Sequence, residues 1–127
     1  MDYKIVVVDD SRTARQQVSE ALAGTGYEVI EAVDGADGLS KIASHPGASL
    51  VICDVNMPNM NGLEMLRALR QQQPSAQMPV VMLTTEAQPE LLQQAKMAGA
   101  KGWIVKPFKP ALLVAAVRKL IGDQRAA

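Results

Sequence analysis

Five residues set at the ends of separate apolar runs carry the chemistry of this chain: Asp9 and Asp10 after Ile5-Val6-Val7-Val8, Asp54 after Leu50-Val51-Ile52-Cys53, Thr84 after Pro79–Leu83, and Lys106 after Gly102–Val105. Three carboxylates brought together repel: two unit charges ~4 Å apart interact at ~4 kcal/mol when the effective dielectric is near 20. A hard cation resolves that conflict, and with oxygen donors and no Cys or His to hand the choice falls on Mg2+, or Mn2+. Lys106 adds a compact positive charge and Thr84 a hydroxyl. Carboxylate, cation, ammonium and hydroxyl are the groups needed to hold a phosphoryl group for in-line attack by an oxygen nucleophile. Each residue also has a plainer use: Asp54 as a turn cap, Asp9 and Asp10 as helix-capping acids, Thr84 as a strand end, Lys106 as a solvated side chain and Trp103 as core. Their joint appearance at the ends of different strands favours the chemical reading.

The elements that must position them can be read in order. The four runs above, with the more polar Tyr27–Ala32, make five strands, and the polar one belongs nearer a sheet edge. Ser11 caps a first helix with Ala14, Val18, Ala21 and Leu22 on one face, stopped by Gly24-Thr25-Gly26. Asp34-Gly35 turns into a second helix carrying Leu39, Ile42 and Ala43, ended by His45-Pro46-Gly47. Met57-Pro58-Asn59 and Asn61-Gly62 force a loop after Asp54, then Leu63, Leu66 and Leu69 mark a third helix closed by Gln71–Pro74. Pro89 starts a fourth, with Leu91, Leu92, Ala95 and Ala98, and Gly99 stops it. The last, about Pro110–Ile121, carries Leu112, Leu113, Ala116, Val117 and Leu120.

Apolar strands without alternation, alternating with helices, predict an α/β fold whose parallel sheet is covered on both faces. Right-handed crossovers then bring every carboxyl end to one edge, where ligands bind in open α/β sheets. The 127 residues predict one domain (1–127, core 4–121), burying roughly 65–70% of its unfolded surface. Aromatics are 3% of the chain, so the core must be aliphatic, Ala and Met. Lys+Arg and Asp+Glu are 13 each, which removes any broad electrostatic case for nucleic acid or anionic membrane. The single Cys53 lies in a buried-strand pattern and excludes a disulfide or Cys-based metal site, as suits a reducing cytoplasm. MDYKIVVVDD reads as neither signal peptide nor membrane span. No G-x-G-x-x-G follows the first strand, which disfavours dinucleotide binding.

The motifs DD after the first strand, D-V-N-M-P-N-M-N-G after the third, T-T-E after the fourth and W-I-V-K-P-F at the fifth resemble the response-regulator receiver domain over Lys4–Ile121. The form D-x-N-M-P-N-M without an output domain is similar to stand-alone, CheY-like chemotaxis receivers. The resemblance, rather than the spacing, implies a flavodoxin-like (βα)5 three-layer sandwich with strand order 2-1-3-4-5, the order known for that family. It implies Asp54 as phosphoacceptor for the phosphohistidine of a sensor histidine kinase. Mg2+ would be held by Asp10, Asp54, the Asn56 backbone carbonyl and, through water, Asp9. Lys106 would pair with Asp54 at rest and with the phosphoryl group afterwards, aimed by a cis Lys106–Pro107 bond. Thr84 and Trp103 form the implied switch, remodelling the fourth helix, fifth strand and fifth helix for a phosphorylation-dependent target. Asn56 and Glu86 match a pair associated with short-lived phosphorylation. Trp103 stands where chemotaxis receivers commonly have Tyr, so it is bulkier and lacks the hydroxyl, and Thr85 is larger than the usual small neighbour of the switch threonine.

The expectation is therefore a cytoplasmic, monomeric signalling protein, not an enzyme beyond its own phosphotransfer and dephosphorylation. Its partners would be a kinase, a target such as the flagellar motor switch, and a phosphatase. A phosphate sink, non-chemotactic signalling, a phosphate-independent scaffold and a small Mg2+-dependent phosphohydrolase are the alternatives. Against the last, haloacid-dehalogenase-type enzymes place D-x-D after the first strand, whereas Asp54 follows the third.

Overall fold

A computed structural model describes residues 3–72, 77–85 and 87–126, with 123–126 by backbone alone. Five strands and five helices alternate: β1 Lys4–Val8, α1 Arg12–Leu22, β2 Glu28–Ala32, α2 Gly35–Ser44, β3 Ala48–Cys53, α3 Gly62–Arg70, β4 Val80–Thr84, α4 Pro89–Met97, β5 Gly102–Val105 and α5 Pro110–Ala126. All strand pairs are parallel, and the order across the sheet is β2-β1-β3-β4-β5. The doubly wound α/β architecture expected from the unalternating strands is the one observed.

The strands read as continuous apolar runs because successive side chains enter different cores. Val6, Val8, Val51, Cys53, Val80 and Met82 pack with Ile42 of α2, Leu66 of α3 and Ala95 of α4. Their neighbours Ile5, Val7, Leu50, Ile52, Val81 and Leu83 pack on the opposite face with Val18 and Leu22 of α1 and Leu113 and Val117 of α5. The polar β2 lies at one edge, as its composition required.

Helix starts follow local chemistry. Ser11 Oγ accepts from the Ala14 N–H, and Asp34 Oδ1 accepts from the Asp37 N–H. The second contact, then Asn59, holds the Asp34 carboxyl below the usual carboxylate range. Asn61 and Glu64 form a reciprocal capping box at α3, with Glu64 N–H donating to Asn61 Oδ1 and Asn61 N–H to Glu64 Oε1. Asn61→Ala should therefore destabilise the fold by ~1 kcal/mol, read from the urea midpoint at unchanged m-value. Gly99, at φ 97°, closes α4 in the left-handed region that glycine favours.

Several boundaries and faces differ from the sequence reading. β3 begins at Ala48 rather than Leu50, and Thr84 is the last residue of β4 rather than the first beyond it. α5 runs to Ala126 rather than Ile121. Ala43 is exposed, and Leu112 is 57% exposed. Leu112 and Leu113 are about 100° apart around a helix, so a narrow contact stripe takes one, and Leu113 is buried. Gln71 is the α3 C-cap, whereas Pro74, part of the expected stop, lies outside the described residues.

Candidate functional site

Register builds the site. Val8 of β1 pairs with Cys53 of β3, so the next residue on each strand, Asp9 and Asp54, emerge side by side at the carboxyl edge. The main chain continues that alignment one step further, with Asp54 N–H donating to the Val8 carbonyl at 3.0 Å and Asp9 N–H to the Ala32 carbonyl at 3.1 Å. On the other side Thr84 pairs with Val105, and the Lys106 N–H donates to the Thr84 carbonyl at 2.9 Å. Lys106 then reaches inward across the edge. The Lys106–Pro107 peptide is cis.

Asp9, Asp10 and Asp54 each offer a carboxylate oxygen, and these atoms lie within 4.8 Å of one another. Asp9 and Asp54 are buried and Asp10 is exposed, so the cluster opens to solvent on one side. Lys106 Nζ lies 2.6 Å from Asp9 Oδ2 and 3.5 Å from Asp54 Oδ2. The shorter contact is thus to Asp9, where the resemblance implied Asp54. Asp9 Oδ1 also accepts from the Ser11 N–H at 2.9 Å. Burial raises the Asp9 pKa, with Lys106 and the Ser11 N–H opposing it. Asp54 Oδ1 is buried with no hydrogen-bond partner. An orphaned carboxylate oxygen among three acids, with no His in the cluster, fits a hard divalent cation by the chemistry of its donors. Cys53 points into the core, and burial pushes its thiol pKa far up, so it remains a neutral hydrophobe.

The loop after Asp54 is held from both sides. Gly62 opens α3 so close to Asp54 that a Cβ there would stand 2.1 Å from the Asp54 carbonyl oxygen. Gly35 opens α2, donating its N–H to the Met60 carbonyl at 3.1 Å, and a Cβ there would lie 2.6 Å from that oxygen. Asn59, at φ 67°, donates from Nδ2 to Asp34 Oδ2 at 2.9 Å. Asn tolerates this left-handed conformation better than most residues.

Asn56 is exposed in the held loop, and Thr84 is fully buried at the end of β4. Trp103, partly buried on β5 opposite Met82, borders two surface hollows. One, about 290 Å³, includes Leu92, Lys96 and Lys101, and the other, about 600 Å³, includes Val105, Phe108 and Leu112. Glu86 lies outside the described residues.

Sequence reasoning missed Arg15. Its Nη1 donates to the Asp9 main-chain carbonyl at 2.6 Å, and its Nε to Glu31 Oε1 at 2.9 Å. A basic residue one turn into the helix that follows the acids was the available signal.

Residues 5–118 match the model of the response regulator receiver domain. Over 120 residues the chain is 36% identical to the chemotaxis protein CheY1 of Helicobacter pylori, covering 94% of this chain and 97% of that protein. Its fold superposes on the chemotaxis protein CheY4 of Vibrio cholerae with TM-score 0.88 at 42% identity, over 94% of this chain and 99% of that one. It also superposes, with TM-score 0.86 at 27% identity, on a chain of the CheX–CheY–BeF3–Mg2+ complex from Borrelia burgdorferi, covering 93% and 88% of the two chains.

The chain belongs to the response-regulator receiver domain family. Such domains are signalling modules rather than conventional enzymes. Within the family this is a CheY-like receiver of the chemotaxis type. No described helix is long and apolar enough to cross a membrane.

Proposed function

We propose that the protein is a phosphorylation-operated switch in which Asp54 accepts a phosphoryl group from the phosphohistidine of a sensor kinase. The observation that carries this reading is the Asp54 carboxylate itself, buried, with Oδ1 unpartnered, two further acids beside it and Lys106 Nζ 3.5 Å away. An Asp54 oxygen attacks phosphorus, the P–N bond to imidazole breaks, and an acyl phosphate forms. Lys106 moves its charge from the carboxylates towards the phosphoryl oxygens. Mg2+, which receiver domains bind, would be held by Asp10, Asp54, the Asn56 carbonyl and, through water, Asp9, and supplies charge neutralisation when bound. The presence of Mg2+ and BeF3 with the Borrelia burgdorferi relative supports this choice of ion.

Thr84 then turns its hydroxyl to the phosphoryl group, and Trp103 follows into the space released. The two hollows bordered by Trp103 give the face of α4, β5 and α5 the apolar contact area that a target needs. That target is a motor-switch protein or an equivalent effector, and CheX in the Borrelia burgdorferi complex supports a further partner, of the phosphatase class. Asn56 and Glu86 set a short lifetime for the acyl phosphate, and the cytoplasm is its compartment.

Trp103 is the sole tryptophan and reports on the switch. Mg2+ with beryllofluoride, which stands in for a phosphoryl group, should shift or quench its emission in the wild type and leave Asp54→Ala unchanged. No response in the wild type, or an equal response in the variant, would contradict the proposal.

A further inference from the structure

Arg15 holds the main chain between Asp9 and Asp10 rather than the Asp54 carboxylate. It lies in the second turn of α1 with its side chain 13% exposed. Its guanidinium donates in two directions, from Nη1 to the Asp9 carbonyl oxygen at 2.6 Å and from Nε to Glu31 Oε1 on β2 at 2.9 Å. A planar fork with donors fixed in direction suits such a two-ended tie, where a flexible ammonium would satisfy one end at a time. The carbonyl that Arg15 grips belongs to the peptide between Asp9 and Asp10. That peptide is planar, so gripping its oxygen fixes the plane from which the Asp10 main chain departs. On its other side Asp9 is already held through its N–H by Ala32 and through its carboxylate by Ser11 and Lys106.

We propose that Arg15 is the positioning residue for the Asp9–Asp10 pair, fixing the peptide between them so that both carboxylates face the cation site. This rests on the Mg2+ reading given above. The guanidinium also brings a positive charge towards a cation site, and that charge by itself opposes Mg2+ binding. The two effects have opposite signs, which makes the role measurable. If orientation dominates, Arg15→Ala weakens Mg2+ binding. If charge dominates, the same variant tightens it. If Arg15 only stabilises the fold, the melting temperature falls and the affinity stays.

Isothermal titration of MgCl2 into the full chain measures the affinity, with melting recorded in parallel. Loss of groups that orient metal ligands from behind weakens metal binding by roughly tenfold or more, and a shift of that order is expected for Arg15→Ala. Arg15→Lys, which can still place one donor on the carbonyl, should recover part of it. Glu31→Gln keeps an acceptor for Nε and should stay close to wild type, whereas Glu31→Ala, which frees the fork, should weaken Mg2+ in the same direction as Arg15→Ala. The Glu31 pair also decides the matter if Arg15→Ala fails to fold. Unchanged or tighter Mg2+ binding in Arg15→Ala, or in Glu31→Ala should the first not fold, overturns the proposal. Mg2+ binding by the wild type that is absent, or that survives Asp54→Asn with Asp10→Asn, overturns the cation reading itself and the positioning role with it.

Discussion

Asp54→Asn should take up no phosphoryl group from a small phosphodonor such as acetyl phosphate, and it should fold at least as stably as the wild type. The two halves have one cause. The Asp54 carboxylate is buried beside Asp9 and within reach of Asp10, and one of its oxygens has no hydrogen-bond partner. Removing its charge relieves repulsion that a dielectric near 20 puts at ~4 kcal/mol for charges ~4 Å apart, less whatever its contact with Lys106 returns. Lys106 keeps its 2.6 Å partner Asp9 in the variant. Phosphoryl uptake is followed by Phos-tag electrophoresis and stability by urea unfolding. A variant that unfolds more readily would show that the Asp54 charge is held for structure rather than kept available for chemistry.

Gly62→Ala should have the largest structural effect of any single methyl group added near the site. The new Cβ would stand 2.1 Å from the Asp54 carbonyl oxygen, 2.9 Å from its carbon and 3.0 Å from Met82 Cε. Two of those atoms are main chain, so no flexible side chain can yield. Overpacking of well-filled sites costs about 1–3 kcal/mol, occasionally more, and the upper end is expected because α3 must move away from Asp54. For a domain of this size ~3 kcal/mol lowers the melting temperature by roughly 10 °C. Since the main chain of Asp54 carries the strain, phosphoryl uptake should slow as well. Gly47→Ala is the control: a Cβ at Gly47 meets nothing within 4 Å, and the change should stay within about 0.5 kcal/mol. Equal melting of the two variants would mean that α3 accommodates the methyl group and that the close approach at Gly62 is not needed.

The contrast between those glycines shows what a sequence carries and what it withholds. That Ile5–Val8 and Leu50–Cys53 are buried on both sides is legible, because an unbroken apolar run has no polar face to offer water. Helix starts at Ser11 and Asp34 are legible too, since a cap acts within three residues, whereas Asn61 reads as a loop residue and the structure makes it the α3 N-cap. Which carboxylates meet is a property of lateral strand order and register, here Val8 against Cys53, and neither is written in any one segment. Strand order came from the family resemblance. The preference of Lys106 for Asp9 over Asp54 depends on how a long side chain crosses β4 and β3, which local pattern cannot reach. Arg15 escaped for a related reason: its partner is a main-chain carbonyl, and every residue has one. Leu112 reads as core by period, but period alone does not say how wide the buried stripe is, and only Leu113 of the two is buried.

Borohydride trapping tests directly the proposal that Asp54, and not one of its acidic neighbours, carries the phosphoryl group. An acyl phosphate is reduced by borohydride to the alcohol, which turns the modified aspartate into homoserine. The protein is incubated with acetyl phosphate and Mg2+, reduced, digested and read by peptide mass spectrometry, with an EDTA control. Homoserine is expected at position 54 alone, and it should be lost with EDTA. Conversion at Asp9 or Asp10, or no conversion with the ion present, would contradict the proposal.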